Sequence, residues 1–283
     1  MNLFAIAADN AEAFDQALDE LLASATAEEA SRLSRFAEQI QRIGRIAINM
    51  EQSVLSSFLT FSVHQNMYEW ADETSAESGA PRDEILKQKL KGYYRRRTTF
   101  DQSFEGGERF RYGALNIGGA GAPKYGEFCV VLQNRVSAER SEVAYLRSDS
   151  LKTYLRRGPV LDEEALRRDA APHERRQCLA VVKHAEEVKT HPEDRWPSVL
   201  CSESEFVEAI FAGPLVANDV EVIRMPKQVH DFRYHYAFEE FRRKLGKADR
   251  VLCKNFRNVR KLIHQKGISL EVVPDAPFAG HSA

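Results

Sequence analysis

Apolar residues in the first fifth of the chain recur at helical spacing. Between Ala11 and Ala25, the residues Phe14, Ala17, Leu18, Leu21 and Leu22 share one helical face, and Asp9 or Asn10 stands where a cap is needed. Thr26 with Glu29 three positions on has the form of a capping box. Leu33, Phe36, Ile40, Ile43 and Ala47 then continue one stripe, which predicts a second helix from Thr26 to about Leu55. From Leu55 the pattern becomes LSSFLTFSVH, where Leu59, Phe61 and Val63 alternate with Thr60, Ser62 and His64, and this predicts a half-buried strand ending at His64.

Glu69 to Gly92 is polar and reads as mixed loop and helix, broken by the basic run KGYYRRR from Lys91 to Arg97. Short apolar stretches follow at Phe128–Leu132, Val143–Leu146, Cys178–Lys183, Val207–Phe211 and Val220–Met225, each of strand length and bounded by Gly, Pro, Asp or Asn. They do not alternate with helical segments, which argues against a doubly wound parallel sheet. The expectation is an α+β fold with split, mixed or antiparallel sheets. Beyond His230 helical spacing returns at Phe232, Tyr236, Phe238, Phe241 and Leu245, with Gly246 as terminator. A short strand at Val251–Cys253, a basic helix from Asn255 to His264, a last strand Ser269–Val273 and a frayed tail from Pro277 complete the reading. Residues 1–54 form an N-terminal helical layer on this view, and 55–283 a larger domain packed with it as one unit.

With 43% apolar residues in 283, the chain can bury a continuous core, and no apolar run approaches the roughly 18 residues of a membrane span. The opening MNLFAIAADN has no Lys or Arg before its apolar run, unlike a secretory signal, so a soluble protein is expected. Cys129, Cys178, Cys201 and Cys253 are widely spaced with no CxxC pair, which reads as reduced, buried thiols and no metal site. The formal charge of −2 hides an asymmetry: Met1–Ala80 holds 13 acidic and 4 basic residues, the remainder 29 and 36. The halves could neutralise each other on folding, or the basic part could face an acidic or phosphorylated ligand.

Two stretches carry candidate chemistry. Thr99–Gln133 contains Gly106, Gly107, Gly113, Gly118, Gly119, Gly121 and Gly126, seven of the chain's 15 glycines, a density that allows backbone N–H groups to approach a ligand. It matches neither GxxxxGK[ST] nor a GxGxxG between strand and helix, so standard P-loop and dinucleotide sites are not supported. The second stretch, Glu203–Pro226, places Glu208 between Val207 and Ala209 in an apolar strand. A carboxylate fixed in a strand suits glycosyl chemistry, where a sugar becomes oxocarbenium-like. The opposing reading makes Glu208 a solvent-facing alternate of an ordinary strand.

The ordered blocks FSVHQN, QSFEGG, RYGALN, PKYGEF and FVEAIFAGPLVANDVEVI resemble a bacterial family with HFHPDR-like, YGALNL and EAQVHGPV-like motifs, a branch similar to the ADP-ribosyltransferase superfamily. The last block also resembles the end of DarT-type transferases, with Glu208 followed by a loop and the strand from Asp219 to Ile223. The same branch includes CteC-type effectors that modify a threonine of ubiquitin. The resemblance spans about Leu55 to Pro226 and departs at His64-Gln65 and at Glu208-Ala209-Ile210, where the family has His-Pro and Glu-Ala-Gln. Phe206 stands where arginine-modifying relatives carry Glu or Gln, so a hydroxyl acceptor is implied rather than arginine.

The resemblance implies NAD as co-substrate, transfer of ADP-ribose to a Ser or Thr of a protein with host ubiquitin as the first partner to test, and a protein made in the bacterial cytoplasm for delivery to a host cytosol. Glu208 would be catalytic, with Glu205 as a deprotonating helper. His64 would hold a ribose or phosphate, Tyr112 or Tyr125 would stack on nicotinamide, Gly113, Ala114, Leu115 and Asn116 would meet the carboxamide or diphosphate, and Arg96, Arg97, Arg109 or Arg111 would grip the diphosphate. Two rival readings are an NAD glycohydrolase, and a nucleic-acid-binding module built on the basic segment Phe232 to Lys261.

Overall fold

The computed structural model describes residues 1–155, 160–239 and 246–275. In chain order the elements are α1 (Leu3–Asp9), α2 (Ala11–Ser24), α3 (Ala27–Ile43), β1 (Arg45–Met50), α4 (Gln52–Phe61), β2 (Val63–His64), α5 (Met67–Ser78), α6 (Arg82–Leu90), α7 (Tyr94–Gln102), β3 (Phe110–Asn116) and β4 (Phe128–Leu132). There follow α8 (Arg135–Ala138), β5 (Val143–Leu146), α9 (Ser150–Thr153), α10 (Glu163–Asp169), β6 (Ala170–Pro172), α11 (Arg176–Thr190), α12 (Trp196–Leu200), β7 (Glu208–Ala212), β8 (Leu215–Val216), β9 (Val220–Pro226), α13 (Lys227–Glu239), α14 (Lys247–Gln265) and β10 (Ser269–Val273). The fold is α+β: an eight-stranded mixed sheet in the order β10-β9-β4-β1-β3-β7-β5-β6, with a small second sheet of β2 and β8. Among the described residues only the β9–β10 pair of the large sheet runs parallel. Among the described residues no helix is long and apolar enough to cross a membrane.

The large sheet separates two cores. On one face Ile46, Leu115, Val130, Tyr145, Ala209 and Phe211 meet Leu33, Phe36 and Ile40 of α3, Leu179 and Val181 of α11, and Phe256 and Val259 of α14. On the other, Phe110, Ala144, Leu146 and Ile210 meet Leu3 and Ile6 of α1, Phe100 of α7 and Leu166 of α10. Burying a side chain of the size of Leu33 contributes on the order of 2 kcal/mol, so these layers hold the sheet rigid from both sides. The capping box is present, with Glu29 N–H donating to Thr26 Oγ1 and Thr26 N–H to Glu29 Oε2. Asn10 caps α2 by position but makes no side-chain cap bond. The acidic first part meets the later basic part at Asp15–Arg175, 2.6 Å, and Glu29–Lys189, 4.0 Å.

Four expectations are corrected. The helix from Thr26 does not run to Leu55: it ends at Ile43, and Arg45–Met50 is β1, an inner strand of the sheet, so residues 1–54 are not a helical layer alone. A Cβ on Gly44 would lie 2.3 Å from the Ile40 carbonyl oxygen, so only glycine makes this exit. Leu55 to Phe61 is the helix α4, not a strand. The 3.6-residue spacing of Leu55, Phe58 and Leu59 is buried, whereas Phe61 and Val63, which carried the alternating reading, are 74% and 45% exposed. Ser62, left-handed at φ 63°, ends that helix and leaves only Val63–His64 as strand. Cys178–Lys183 belongs to α11, a helix packed on α2, α3 and the sheet, and Val251–Cys253 belongs to α14. A short apolar run buried on all sides has no period that tells helix from strand. The expectations for Phe241, Leu245 and the tail from Pro277 lie outside the described residues, as do the side chains of Tyr236 and Phe238.

Candidate active site

Glu208 opens β7 between β3 and β5, opposite Ala114 on one side and Leu146 on the other. Directly paired residues of antiparallel strands point to the same face, so Glu208 shares its face with Ala114 and, diagonally, with Tyr112. That face looks toward α7, which supplies Arg97 and Asp101 four residues apart on one side of the helix. Glu208 is 5% exposed and Asp101 is fully buried. One Glu208 oxygen, Oε2, accepts the backbone N–H of Ser150 at 2.8 Å.

Around it lies a buried polar network. Asp101 accepts Tyr68 Oη at 2.9 Å, the Tyr112 hydroxyl, and the Arg97 guanidinium at 3.4 Å. The guanidinium carbon of Arg97 sits 3.7 Å from the centre of the Tyr112 ring, a cation–π contact that clamps both groups. Burial favours the neutral form of Asp101 and lifts its pKa, while Arg97 and the two tyrosine hydroxyls act in the opposite direction. Glu208 is pushed up to about 7, first by burial and then by the charge of Asp149, with Arg97 and both the hydroxyl and the N–H of Ser150 restraining the rise. A carboxyl with that value exchanges a proton readily at neutral pH, and its position on a sheet held from both faces fixes it in space.

No protein-family model matches this chain, and no curated protein matches it in sequence.

Of the residues nominated from the sequence, Tyr112 and Arg97 lie in the Glu208 network. Tyr112 spends its ring on Arg97 and its hydroxyl on Asp101. Tyr125 stands half-exposed, donating its hydroxyl to Asp149 Oδ2 at 3.0 Å and meeting Phe206 edge-on at 6.0 Å. Asp149 in turn caps α9, whose first residue is Ser150, so Tyr125 is tied to the turn that covers Glu208. Lys124 lies 4.8 Å over the Tyr125 ring.

Other nominees are placed elsewhere. Arg111 points to the opposite face of the sheet from Glu208, because its strand partner is Phe211, an odd step away. There it donates to both oxygens of Glu69, at 2.7 and 2.9 Å, and to the carbonyls of His64 and Gly213. His64 is held by that contact and by an edge-on Phe58, and burial followed by the charge of Arg111 lowers it to about 4, leaving it neutral at pH 7. Gly113, Ala114 and Leu115 are interior β3 residues. Gly113 and Ala114 lie in the ladder with β7, and the Leu115 N–H goes to the Val207 carbonyl at 2.9 Å. A Cβ on Gly113 would meet the Ala47 carbonyl oxygen at 2.7 Å, so this glycine serves strand packing. Asn116 accepts the N–H groups of Gly118 and Gly119 and shapes the glycine turn from within. Arg96 donates to the Leu151 carbonyl, and Arg109 pairs with Glu142 at 2.8 Å. Glu205 is exposed and paired with Lys183 at 3.2 Å. Asp219, just before β9, is pinned by Arg135 at 2.7 Å and Arg140 at 3.6 Å.

Asp101, Tyr68, Asp149 and Ser150 escaped the sequence reading. The i, i+4 pair Arg97–Asp101 on a helix was a legible signal, whereas Tyr68, Asp149 and Ser150 join the site only through tertiary contacts. The four cysteines are free and buried, and among the described residues no cluster of three or more His, Cys, Asp or Glu could hold a metal.

Proposed function

We propose that this protein transfers ADP-ribose from NAD to a hydroxyl of another protein, with Glu208 as the catalytic carboxylate. The observation that carries the reading is the buried Glu208 carboxyl, fixed at a strand start beside a tyrosine-clamped guanidinium and balanced near neutrality. In the reaction the bond between nicotinamide and ribose C1′ breaks, its electron pair leaves with nicotinamide, and the sugar becomes oxocarbenium-like. Ionised Glu208 opposes that positive charge at fixed distance. The acceptor oxygen bonds to C1′ and its proton passes to the Glu208 carboxylate. One group near pH 7 serves both steps, so Glu205, exposed and ion-paired, is not required as the base.

Substrate must displace the Ser150 N–H from Glu208 Oε2, and a ribose hydroxyl is the donor that replaces it. Tyr125, half-exposed and bonded to Asp149, is the aromatic group at the entrance to this turn. The sequence resemblance supplies the acceptor class and names ubiquitin as the first protein to try, in the setting of an effector delivered to a host cytosol. The rival use of the basic segment Phe232 to Lys261 as a nucleic-acid surface finds less support. Phe256 is fully buried and Tyr234 carries the Arg260 guanidinium 5.1 Å above its ring, so neither offers a free face for base stacking.

The test incubates the protein with biotinylated NAD and ubiquitin or a cell lysate, comparing wild type with Glu208→Gln. Labelling of protein in wild type and its fall by about two orders of magnitude in the variant are expected. Release of nicotinamide with no labelled protein would assign the rival glycohydrolase activity, and equal labelling by both proteins would remove Glu208 from the chemistry.

A further inference from the structure

A groove of about 240 Å³ lies where α13 and α14 meet β10, the edge strand of the large sheet. Ile263, Ile268, Leu270 and Val272 line it with aliphatic surface, and Arg260 and His264 bring polar groups to it. Leu270 and Val272, two residues apart, share a face of β10, while Glu271 between them turns to the other face and pairs with Arg224 at 2.9 Å. Arg260 and His264, four residues apart, share a side of α14. The Arg260 guanidinium lies 5.1 Å over the Tyr234 ring and 5.9 Å over that of Phe256, and among the described residues it meets no carboxylate and makes no hydrogen bond. Stacking occupies the face of the guanidinium and leaves its in-plane N–H donors free to grip a carboxylate in a fork. The strand has a similar surplus. Among the described residues β9 is the only strand paired with β10, so the outward N–H and C=O groups of Ser269–Val273 have no ladder partner.

We infer that this groove takes the C-terminus of an extended peptide from a partner protein. The peptide backbone adds to the edge of β10, its last side chain, an aliphatic one, enters the groove, and its terminal carboxylate meets Arg260. The volume selects this occupant. Sites that enclose a whole small molecule run from roughly 300 to 1,000 Å³. A groove of about 240 Å³ admits one side chain and leaves the rest of the ligand outside, where the strand edge holds it. Charge complementarity selects the end of the peptide: an unpaired guanidinium beside aliphatic surface suits an anion carried on an apolar group, and a chain ending in Leu, Ile or Val has both. The site draws on no part of the Glu208 network and stands apart from the proposed chemistry.

The experiment is fluorescence polarisation, with the full chain titrated into a fluorescein-labelled pool of hexapeptides. Their last residue is Leu, Ile or Val and the other positions are randomised; a second pool is identical but amidated at the C-terminus. The free-acid pool should bind about tenfold more tightly than the amide. Arg260→Gln should hold both at the weaker level, whereas Lys261→Gln, the same change of charge one residue along α14, should keep the preference. Val272→Glu places a carboxylate in the groove at a 43% exposed position and should abolish binding, and circular dichroism verifies that each variant folds. Equal binding of acid and amide, a preference that survives in Arg260→Gln or vanishes alike in Lys261→Gln, or no binding up to about 1 mM peptide overturns the inference. Binding of hexanoate without binding of the peptides would assign the groove to a small carboxylate and overturn it as well.

Discussion

Two buried arginines on opposite faces of the same sheet show how one side chain serves different ends. Arg111 spreads its guanidinium over the carbonyls of His64 and Gly213 and both oxygens of Glu69, joining β3 to the β2–β8 sheet region. Its charge is spent on backbone and on a half-exposed carboxylate, and the histidine beside it is driven neutral. Arg97 instead meets one fully buried carboxylate, the face of a tyrosine, and the field of a second carboxyl, Glu208, which titrates near neutrality. A buried cation held by backbone carbonyls and a structural carboxylate is architecture. One that shares its surroundings with a carboxyl raised to about 7 sits where the proposed chemistry would use it.

The largest effect that would sharpen this contrast comes from Asp101→Ala. It leaves Arg97 buried without its carboxylate and two tyrosine hydroxyls without their acceptor, so denaturant unfolding should report a loss of roughly 3–5 kcal/mol. A loss below about 1 kcal/mol would mean that the network is not closed as described. Next in size is the pH dependence of stability, which should have opposite signs on the two faces. Glu208 has a folded value of about 7 against 4.5 unfolded, so the folded state holds the extra proton and stability from this group falls as pH rises from about 4.5 to 7. The change is at most about 3 kcal/mol and is absent in Glu208→Gln, which should be more stable than wild type at pH 8. His64, at about 4 folded against 6.5 unfolded, acts the other way: its contribution is complete above pH 6.5 and is lost as pH falls toward 4. Urea midpoints at pH 5, 6.5 and 8 for wild type, Glu208→Gln and His64→Gln separate the two, and parallel curves for all three would break the comparison.

Smaller shifts test the neighbours. Arg97→Met should raise the Glu208 pKa, read from carboxyl bands in pH-difference infrared spectra, while Arg111→Met, on the far face, should leave it in place. Asp149→Asn should lower it, because the Asp149 charge helps hold it up. The least effect belongs to Tyr125→Phe, which removes one exposed hydrogen bond to Asp149. Thermal unfolding should report a cost of about 1 kcal/mol or less, and a drop of several kcal/mol would show that the turn over Glu208 depends on it.

What the sequence disclosed follows the same division between local and distant causes. The α3 capping box, the strands at Phe128, Val143, Val220 and Ser269, and the placement of Glu208 in β7 all rest on neighbours within a few residues. β1 was hidden because Ile46, Ala47, Ile48 and Met50 are buried on both faces and extend the stripe of α3, leaving no alternation to read. The hydroxyl-rich α4 offered two periods at once, and only burial chose between them. The glycine-rich segment drew attention for ligand binding. Instead Gly113 packs on β1, and at Gly121 and Gly126 a Cβ would run into Asn49 Oδ1 at 2.2 Å and the Met50 carbonyl carbon at 2.1 Å, so these glycines let the loop lie against β1. Tyr68 and Ser150 reach Asp101 and Glu208 from 33 and 58 residues away, and no local pattern encodes such a meeting.

Nicotinamide release from NAD across pH 5.5 to 8.5 probes the central claim most directly, in wild type beside Glu208→Gln. The rate in wild type should climb through an apparent pKa near 7 as the buried carboxyl ionises, and the variant should run at least about a hundredfold slower with that inflection gone. Release at the same rate and with the same pH profile in both proteins would contradict the account.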